Sequence, residues 1–378
     1  MTTDGQVRVR SLRADAYTVP TATEDRKRPE SDGTIRWDST GVLVVTLEAG
    51  GATGLGYAYT APASLQVVQD VLWAVIANAD PFDTEHLFWE MARATRNIGW
   101  AGVSAGAIAA VDIALHDLKA RLCGISLTQL LGGAHASVEA YGSGGFTDYT
   151  DGELTDQLGS WAAQGFRSVK MKVGSNPADD PRRVALAREA IGTGVELFVD
   201  ANGAYERKQA LQLAESFTEH GVTWFEEPVS SQDRQGLRLL RDRMPASIRV
   251  AAGEYGYTPA DFRDLLIDGC VDVLQADATR CGITGFGIAA SLATAFGVPL
   301  SAHTAPALHA SVAAAHRPAI NVEYFHDHAR IEARFFDGLP VLDHGELKPD
   351  LSAPGHGLTL REPDIDAHRV QTFAVDVN

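Results

Sequence analysis

Ser168-Val169-Lys170-Met171-Lys172-Val173, followed after some two dozen residues by Leu197-Phe198-Val199-Asp200-Ala201-Asn202, is the stretch whose reading decides the fold. Each half is a short apolar run that ends in charge. The design recurs at Val222–Glu226, Val250–Glu254, Val271–Asp277, Val298–His303 and Ile320–Glu323. By difference of residue numbers, the steps from Lys172 through Asp200, Glu226, Glu254, Asp277 and His303 to Glu323 are 28, 26, 28, 23, 26 and 20. One strand-plus-helix unit has about that length, so the spacing predicts consecutive units of a parallel barrel. In such a barrel the strand C-termini open onto one face, and side chains far apart in sequence converge on one pocket.

Outward from this ladder, Ser137-Val138-Glu139-Ala140-Tyr141 reads as the first barrel strand, with Gly142-Ser143-Gly144-Gly145 after it. Helical patterns fill the gaps at 155–164, 181–191, 207–219, 231–243, 258–268, 285–296 and 305–314, several opening on Pro or a Ser/Thr/Asp cap. Before the barrel, residues 7–14 and 40–48 alternate as strands do, with a turn signal at Ala49-Gly50-Gly51. Apolar residues at three- and four-residue spacing predict helices over 64–78, 82–95 and 104–123, and Gly132-Gly133 ends the helical region. Between the two strands, residues 18–38 carry Pro20, Glu24, Asp25, Arg26, Lys27, Arg28 and Pro29 and read as a mobile surface loop or a lid over the site. The expected fold class is therefore α/β, a (β/α)8 TIM-like barrel with an N-terminal α+β capping domain. Its divisions fall at 1–133 for the cap, 134–341 for the barrel and 342–378 for a tail, without a convincing helix, that packs back on the cap.

Lys plus Arg total 32 against 49 Asp plus Glu, a formal net charge of −17, which opposes binding to nucleic acid or anionic lipid. No apolar run approaches the roughly 20 residues needed to cross a bilayer, and the first residues carry no secretion signal pattern, so the cytoplasm is the expected compartment. Cys123, Cys270 and Cys281 are too scattered for a disulfide framework or a Cys-based zinc site. A homo-oligomer is the expected assembly.

Asp200, Glu226 and Glu254 end three consecutive predicted strands, so their carboxylates sit side by side at one rim. Like charges that close do not all stay ionised without compensation, and a divalent cation, Mg²⁺ by its preference for oxygen ligands, resolves the conflict. Three separately solvated acids are the plain alternative in so acidic a chain. Lys170 and Lys172 share one face of their strand; two adjacent ammonium groups lower each other's pKa, and a lysine titrating nearer neutrality serves as a base. Asp277 and His303 lie one unit apart, so the carboxylate can fix the imidazole tautomer and raise its pKa. His309 and His316 are less well placed, and His326-Asp327-His328, just past the last strand, reads as a solvated loop, with contact at the pocket rim as the alternative.

Lys170-Met171-Lys172, Asp200-Ala201-Asn202, Glu226-Glu227-Pro228, Glu254, the Asp277 and His303 pair, and Glu323 together resemble the mandelate racemase subgroup of the enolase superfamily. Ser104–Ile108, Asp112–Ala120 and Leu130-Leu131-Gly132-Gly133 resemble its capping-domain signature. The resemblance implies Asp200, Glu226 and Glu254 as Mg²⁺ ligands, Lys172 as one acid/base with Lys170 beside it, and His303 with Asp277 as the other on the opposite substrate face. It implies that Glu323 donates a hydrogen bond to a developing enediolate and that Asn202 lies near the substrate; Ser143 is a further candidate contact. That a Lys or His base works with Mg²⁺ toward an enediolate is the superfamily's general pattern. Lysine is absent where muconate-lactonising and dipeptide-epimerising relatives carry it, at Asp277. One departure is the single glycine in Ala278-Thr279-Arg280-Cys281-Gly282, where relatives show two.

The expected activity is Mg²⁺-dependent abstraction of the proton α to a carboxylate, with dehydration of a sugar acid to a 2-keto-3-deoxy acid as its outcome. That makes the chain a hydro-lyase acting on a small carboxylate. Racemisation of a 2-hydroxy acid shares the first step and is the alternative, as is a non-catalytic sugar-acid binder that kept the fold. Specificity is expected from residues 18–38 and 54–60.

Overall fold

The computed structural model describes residues 7–22 and 27–377. Eight strands, Val138–Gly144, Ser168–Lys172, Glu196–Asp200, Val222–Glu226, Arg249–Ala252, Val273–Ala276, Leu300–Ala302 and Ala319–Phe325, pair in parallel in chain order. The ring closes where Glu323 of the last strand sits opposite Tyr141 of the first. Each strand is short, apolar and buried on both faces, as a parallel sheet wrapped in helices requires. Tyr141, Phe198, Trp224, Ala251 and Val273 fill the barrel interior, with Phe198 and Trp224 stacked at 4.9 Å between centroids. The barrel interior is thus a packed plug under its open rim.

Several expected boundaries move. The last strand continues to Phe325, so Glu323 lies inside it rather than at its end, whereas Glu254, Asp277 and His303 sit one or two residues beyond theirs. The helix expected from 285 starts at Ala278 and runs to Phe296, with non-helical backbone at Gly282 (φ 76°). A Cβ at Gly282 would come within 2.7 Å of Asp112 Oδ2, and that carboxylate accepts from Thr284 N and Oγ1 at 3.0 and 2.8 Å. One glycine makes the turn because the cap helix bearing Asp112 takes up the backbone beyond it.

In the cap, an antiparallel sheet runs in the order Arg369–Asp376, Ser11–Pro20, Ser39–Ala49, Ala52–Tyr59. Its first strand in the chain begins at Ser11, later than the alternation from Val7 predicts. Helix Val103–Cys123 crosses this sheet and ends on left-handed Gly124. It is buried along nearly its whole length, unlike a one-sided amphipathic helix, because the sheet covers one side and helix Ala278–Phe296 the other. Its small residues allow close approach: a Cβ on Gly56 of the sheet would stand 2.1 Å from Ala110 O.

The tail does contain one helical turn, Glu362–Ile365, before strand Arg369–Asp376 pairs with Ser11–Pro20. Of the expected loop over 18–38, Glu24, Asp25 and Arg26 lie outside the described residues. The rest is strand up to Pro20 and then a two-rung hairpin of Glu30–Ser31 with Arg36–Trp37. The hairpin turn is held by Asp32 Oδ1, which accepts from Thr34 N at 2.6 Å and Ile35 N at 2.8 Å. It docks on the barrel through Arg28, whose guanidinium donates to Asp148 Oδ2 at 3.1 Å and Glu153 Oε2 at 2.5 Å.

The expectation of a solvated loop at His326-Asp327-His328 is overturned: these residues open helix His326–Phe335, and Asp327 is fully buried. Its carboxylate accepts from Trp37 Nε1 at 3.2 Å, while His328 stacks on Tyr59 with centroids 3.3 Å apart. Asp327 and His328 face the cap instead of water, and His326 is half-buried against Phe146.

Candidate active site

Parallel register places Lys172 opposite Asp200 and Asp200 opposite Glu226, so a lysine and two carboxylates stand abreast on neighbouring strands. Glu254 joins them from the next unit, its backbone turned inward at Gly253 (φ 133°). One oxygen from each of Asp200, Glu226 and Glu254 lies within 4.8 Å of the others, all three side chains being buried. Such a set of hard anionic oxygens, gathered where water is scarce, fits a divalent cation of the Mg²⁺ kind. Burial and the nearby Asp200 carboxylate raise Glu226 to about 8 despite Lys170, the charge conflict that a cation would relieve.

Lys170 Nζ bridges Glu226 Oε1 at 2.7 Å and Glu323 Oε1 at 2.8 Å, with Asp200 Oδ2 at 3.6 Å. Lys172 Nζ contacts Asp200 Oδ2. Burial disfavours the charge on both lysines, but these carboxylates outweigh it and hold both above the ordinary lysine range. The expectation that each ammonium drives its neighbour toward neutrality is therefore corrected for the protein's own charges: the acids outnumber the ammonium groups around them.

His303 Nδ1 stands 3.0 Å from Asp277 Oδ2, and its Nε2 faces Glu254 Oε2 at 3.2 Å and Glu323 Oε2 at 3.6 Å. Burial lowers the imidazole, but Glu254 and Glu323, with the Asp277 hydrogen bond, lift it to about 10. Asp277 moves the opposite way: burial raises it, yet the hydrogen bond and charge of His303 leave it below the usual carboxylate range. Asp277 also caps its helix, accepting from Thr279 N at 2.7 Å, so its carboxylate is aimed by the element it starts.

Glu323 accepts from Ser143 Oγ at 2.6 Å and Thr304 N at 3.1 Å. Lys170 and His303 hold it below the glutamate range against the effect of burial. In this arrangement it accepts from both neighbours and faces the cavity between Lys170 and His303. Asn202 sits at left-handed φ 46°, its N–H donating to Asp200 Oδ1 at 2.8 Å, and its side-chain Oδ1 is buried without a partner. Ser143 is fully buried against Glu323 and is absent from the cavity wall.

A cavity of about 570 Å³ opens above this cluster, walled by the barrel rim and the cap, and reached by Lys172, Asn202, Glu254, His303 and Glu323. Residues the sequence did not single out complete it. Arg280 donates to Glu254 O at 2.7 Å and stacks over Tyr255 at 4.7 Å; its place three residues past Asp277 was the available signal. Trp37 and Tyr59 supply the cap side, from the two segments expected to set specificity, and His328 stands opposite the rim from the helix after the last strand. His309 is instead a buried prop, with Ala278 N donating to its Nε2 at 2.9 Å.

Residues 153–365 match the family described as Enolase C-terminal domain-like, and residues 16–132 match the Mandelate racemase / muconate lactonizing enzyme N-terminal domain. The chain belongs to the enolase superfamily, in its mandelate racemase subgroup. Among curated proteins it is similar to a D-galactarolactone cycloisomerase of Agrobacterium fabrum, 32% identical over 73% of this chain and 74% of the relative. Among solved structures it is similar to a mandelate racemase/muconate lactonizing enzyme-like protein from Rubrobacter xylanophilus, with 49% identity, TM-score 0.92 and coverage of 96% of this chain and all of that one. An L-talarate dehydratase from a Polaromonas species, complexed with Mg and L-glucarate, is 30% identical with TM-score 0.89 and covers 99% of this chain and 100% of its own. Its homologues are thus acid-sugar dehydratases and cycloisomerases. No helix among the described residues is long and apolar enough to cross a membrane.

Proposed function

We propose that this protein is a Mg²⁺-dependent hydro-lyase that converts a sugar acid to a 2-keto-3-deoxy acid. The observation that carries the reading is His303, oriented by Asp277 at 3.0 Å from its Nδ1, at the wall of the same cavity that Lys172 enters. Dehydration needs a base for the proton on C2 and an acid for the hydroxide leaving C3, and a charged imidazole is the acid. Asp200, Glu226 and Glu254 would hold the ion. A bound Mg²⁺ would supply positive charge to the substrate carboxylate and offset the negative charge of Asp200 and Glu226 that now holds the lysines protonated.

Lys172 then takes the C2 proton, with the charge on Lys170 beside it favouring its neutral form. The C2–H electron pair enters an enediolate on the substrate. Its collapse breaks the C3–O bond, and His303 hands its proton to the departing oxygen, giving water and an enol that tautomerises to the 2-keto acid. Lys170 holds Glu323 in place at 2.8 Å, and Asn202, which lines the cavity, stands near the substrate.

The test is turnover of a library of acid sugars with Mg²⁺, read as 2-keto-3-deoxy acid formed, with exchange of the C2 proton in deuterated water followed in parallel. Product from at least one acid, lost on chelation, is the expected result. Exchange without product would favour a racemase or epimerase, and neither would leave a binding protein.

A further inference from the structure

The two ends of the cavity differ in charge. Among the described residues that line it, the cations are Lys172, Arg280 and His303, and each is engaged at the carboxylate cluster: Lys172 with Asp200, His303 with Asp277 and Glu254, Arg280 with Glu254. The opposite wall comes from the cap and hairpin, with Thr18, Asp32, Ile35, Trp37, Thr40 and Tyr59, and from His328 beyond the last strand. Asp32 is the one formally charged side chain there among the described residues.

His328 is the ring that could add positive charge to this wall. Its Nδ1 accepts from Ala305 N–H at 3.4 Å, and a backbone N–H only donates, so that nitrogen bears no proton. The ring is therefore neutral, with Nε2–H as its donor, and it lies nearly parallel to Tyr59 at 3.3 Å. Burial opposes a second proton and keeps the pKa down to about 3.

From this, and resting on the dehydratase reading above, we propose that the site takes an aldonic acid, with its single carboxylate at the Mg²⁺ ligands and a neutral hydroxylated tail against His328, Tyr59 and the cap threonines. An aldaric acid would bring a second carboxylate to a wall whose described residues offer no cation and one anion, where like charges and an unpaired buried carboxylate both count against it. The tail hydroxyls, by contrast, can accept from His328 Nε2–H and donate to the Asp32 carboxylate.

The experiment compares kcat/KM for matched pairs, D-gluconate with D-glucarate and D-galactonate with galactarate, then the remaining six-carbon configurations, with C2 exchange as a second readout. The aldonate of the preferred configuration should exceed its aldarate by about 100-fold or more. Equal or better use of the aldarate overturns this inference while leaving the dehydratase reading standing. Absence of both turnover and exchange for every acid overturns the two together. Ile35 lies 61% exposed at the mouth of the cavity, and Ile35→Arg should lower the discrimination at least about tenfold by supplying the missing cation. An unchanged ratio in that variant would refute the electrostatic basis of the preference.

Discussion

Lys172 and His303 sit under different support: Lys172 rests on a carboxylate in the ligand set, Asp200, whereas His303 meets one of that set, Glu254, through Nε2 and one outside it, Asp277, through Nδ1. Loss of either should therefore separate the two half-steps. With Lys172→Ala, Mg²⁺ affinity measured by calorimetry should stay within about tenfold while kcat falls about 10²–10⁴-fold, the usual worth of a positioned acid or base. His303→Asn should abolish elimination yet retain C2 exchange in deuterated water, because Lys172 still reaches the α-proton; dehydration at the wild-type rate would make His303 a structural residue. Glu332, buried beneath the cap, gives a prediction for stability. Burial raises it to about 8 although Tyr57 Oη (2.7 Å) and Ala307 N (2.9 Å) donate to it. A carboxyl whose folded pKa lies above its unfolded value binds more protons in the native state, so stability falls as pH rises from about 4.5 to about 8. Glu332→Gln keeps the neutral shape and should gain on wild type by ~1 kcal/mol or more at pH 8 relative to pH 5, each pKa unit being worth about 1.4 kcal/mol; parallel melting curves across that range would show no gain if Glu332 is ionised throughout. Residues at strand ends were legible in the sequence because register turns spacing into proximity. Arg280 and His328 were legible only as residues just past Asp277 and past the last strand, since their aim depends on a helix start and a cap contact.

At the scale of elements, the barrel strands announced themselves by apolar runs ending in charge, and the hairpin at 30–37 did not. Its strands are two residues each, too short for any period, and what fixes them is the reach of Arg28, Ser31 and Trp37 to Asp148, Thr147 and Asp327. The polar composition that read as a free loop is thus the means of docking. Arg28→Ala removes the part-buried pairings to Asp148 and Glu153 and should speed proteolytic nicking within 27–38 and raise KM several-fold, with kcat changed less. Wild-type protection of the same segment should rise further when Mg²⁺ and substrate are present together, and equal cleavage with and without them would show that the hairpin is no lid. The helix from Val103 to Cys123 was legible, but its burial on nearly all faces was not, because apolar spacing in a row of alanines cannot distinguish one covered side from two.

Across the whole molecule, the cap depends on a strand from the far end of the chain. Residues Arg369–Asp376 pair with Tyr17–Ser11, and Arg369 Nε reaches Asp15 Oδ1 at 3.2 Å. Ending the chain at His368 exposes the Ser11–Pro20 edge and leaves the buried Asp15 with one partner fewer; the melting temperature should drop by several degrees, and KM should rise more than kcat falls because the barrel rim is untouched. The tail's packing was legible only as an expectation that it returns to the cap. Its strand was invisible, since the partner edge lies more than 350 residues away in sequence and its burial alternates on a single exposed face.

That pairing also sets an order of assembly. A sheet whose inner strand is made first and whose outer strand is made last stays open at one edge throughout synthesis, while the barrel between them has already emerged. Closure of so long a loop is entropically unfavourable until the intervening chain is compact, and contacts of such sequence separation form slowly. The cap is therefore the last part to become native, and during that interval the bare Ser11–Pro20 edge is where a second nascent chain can add a strand.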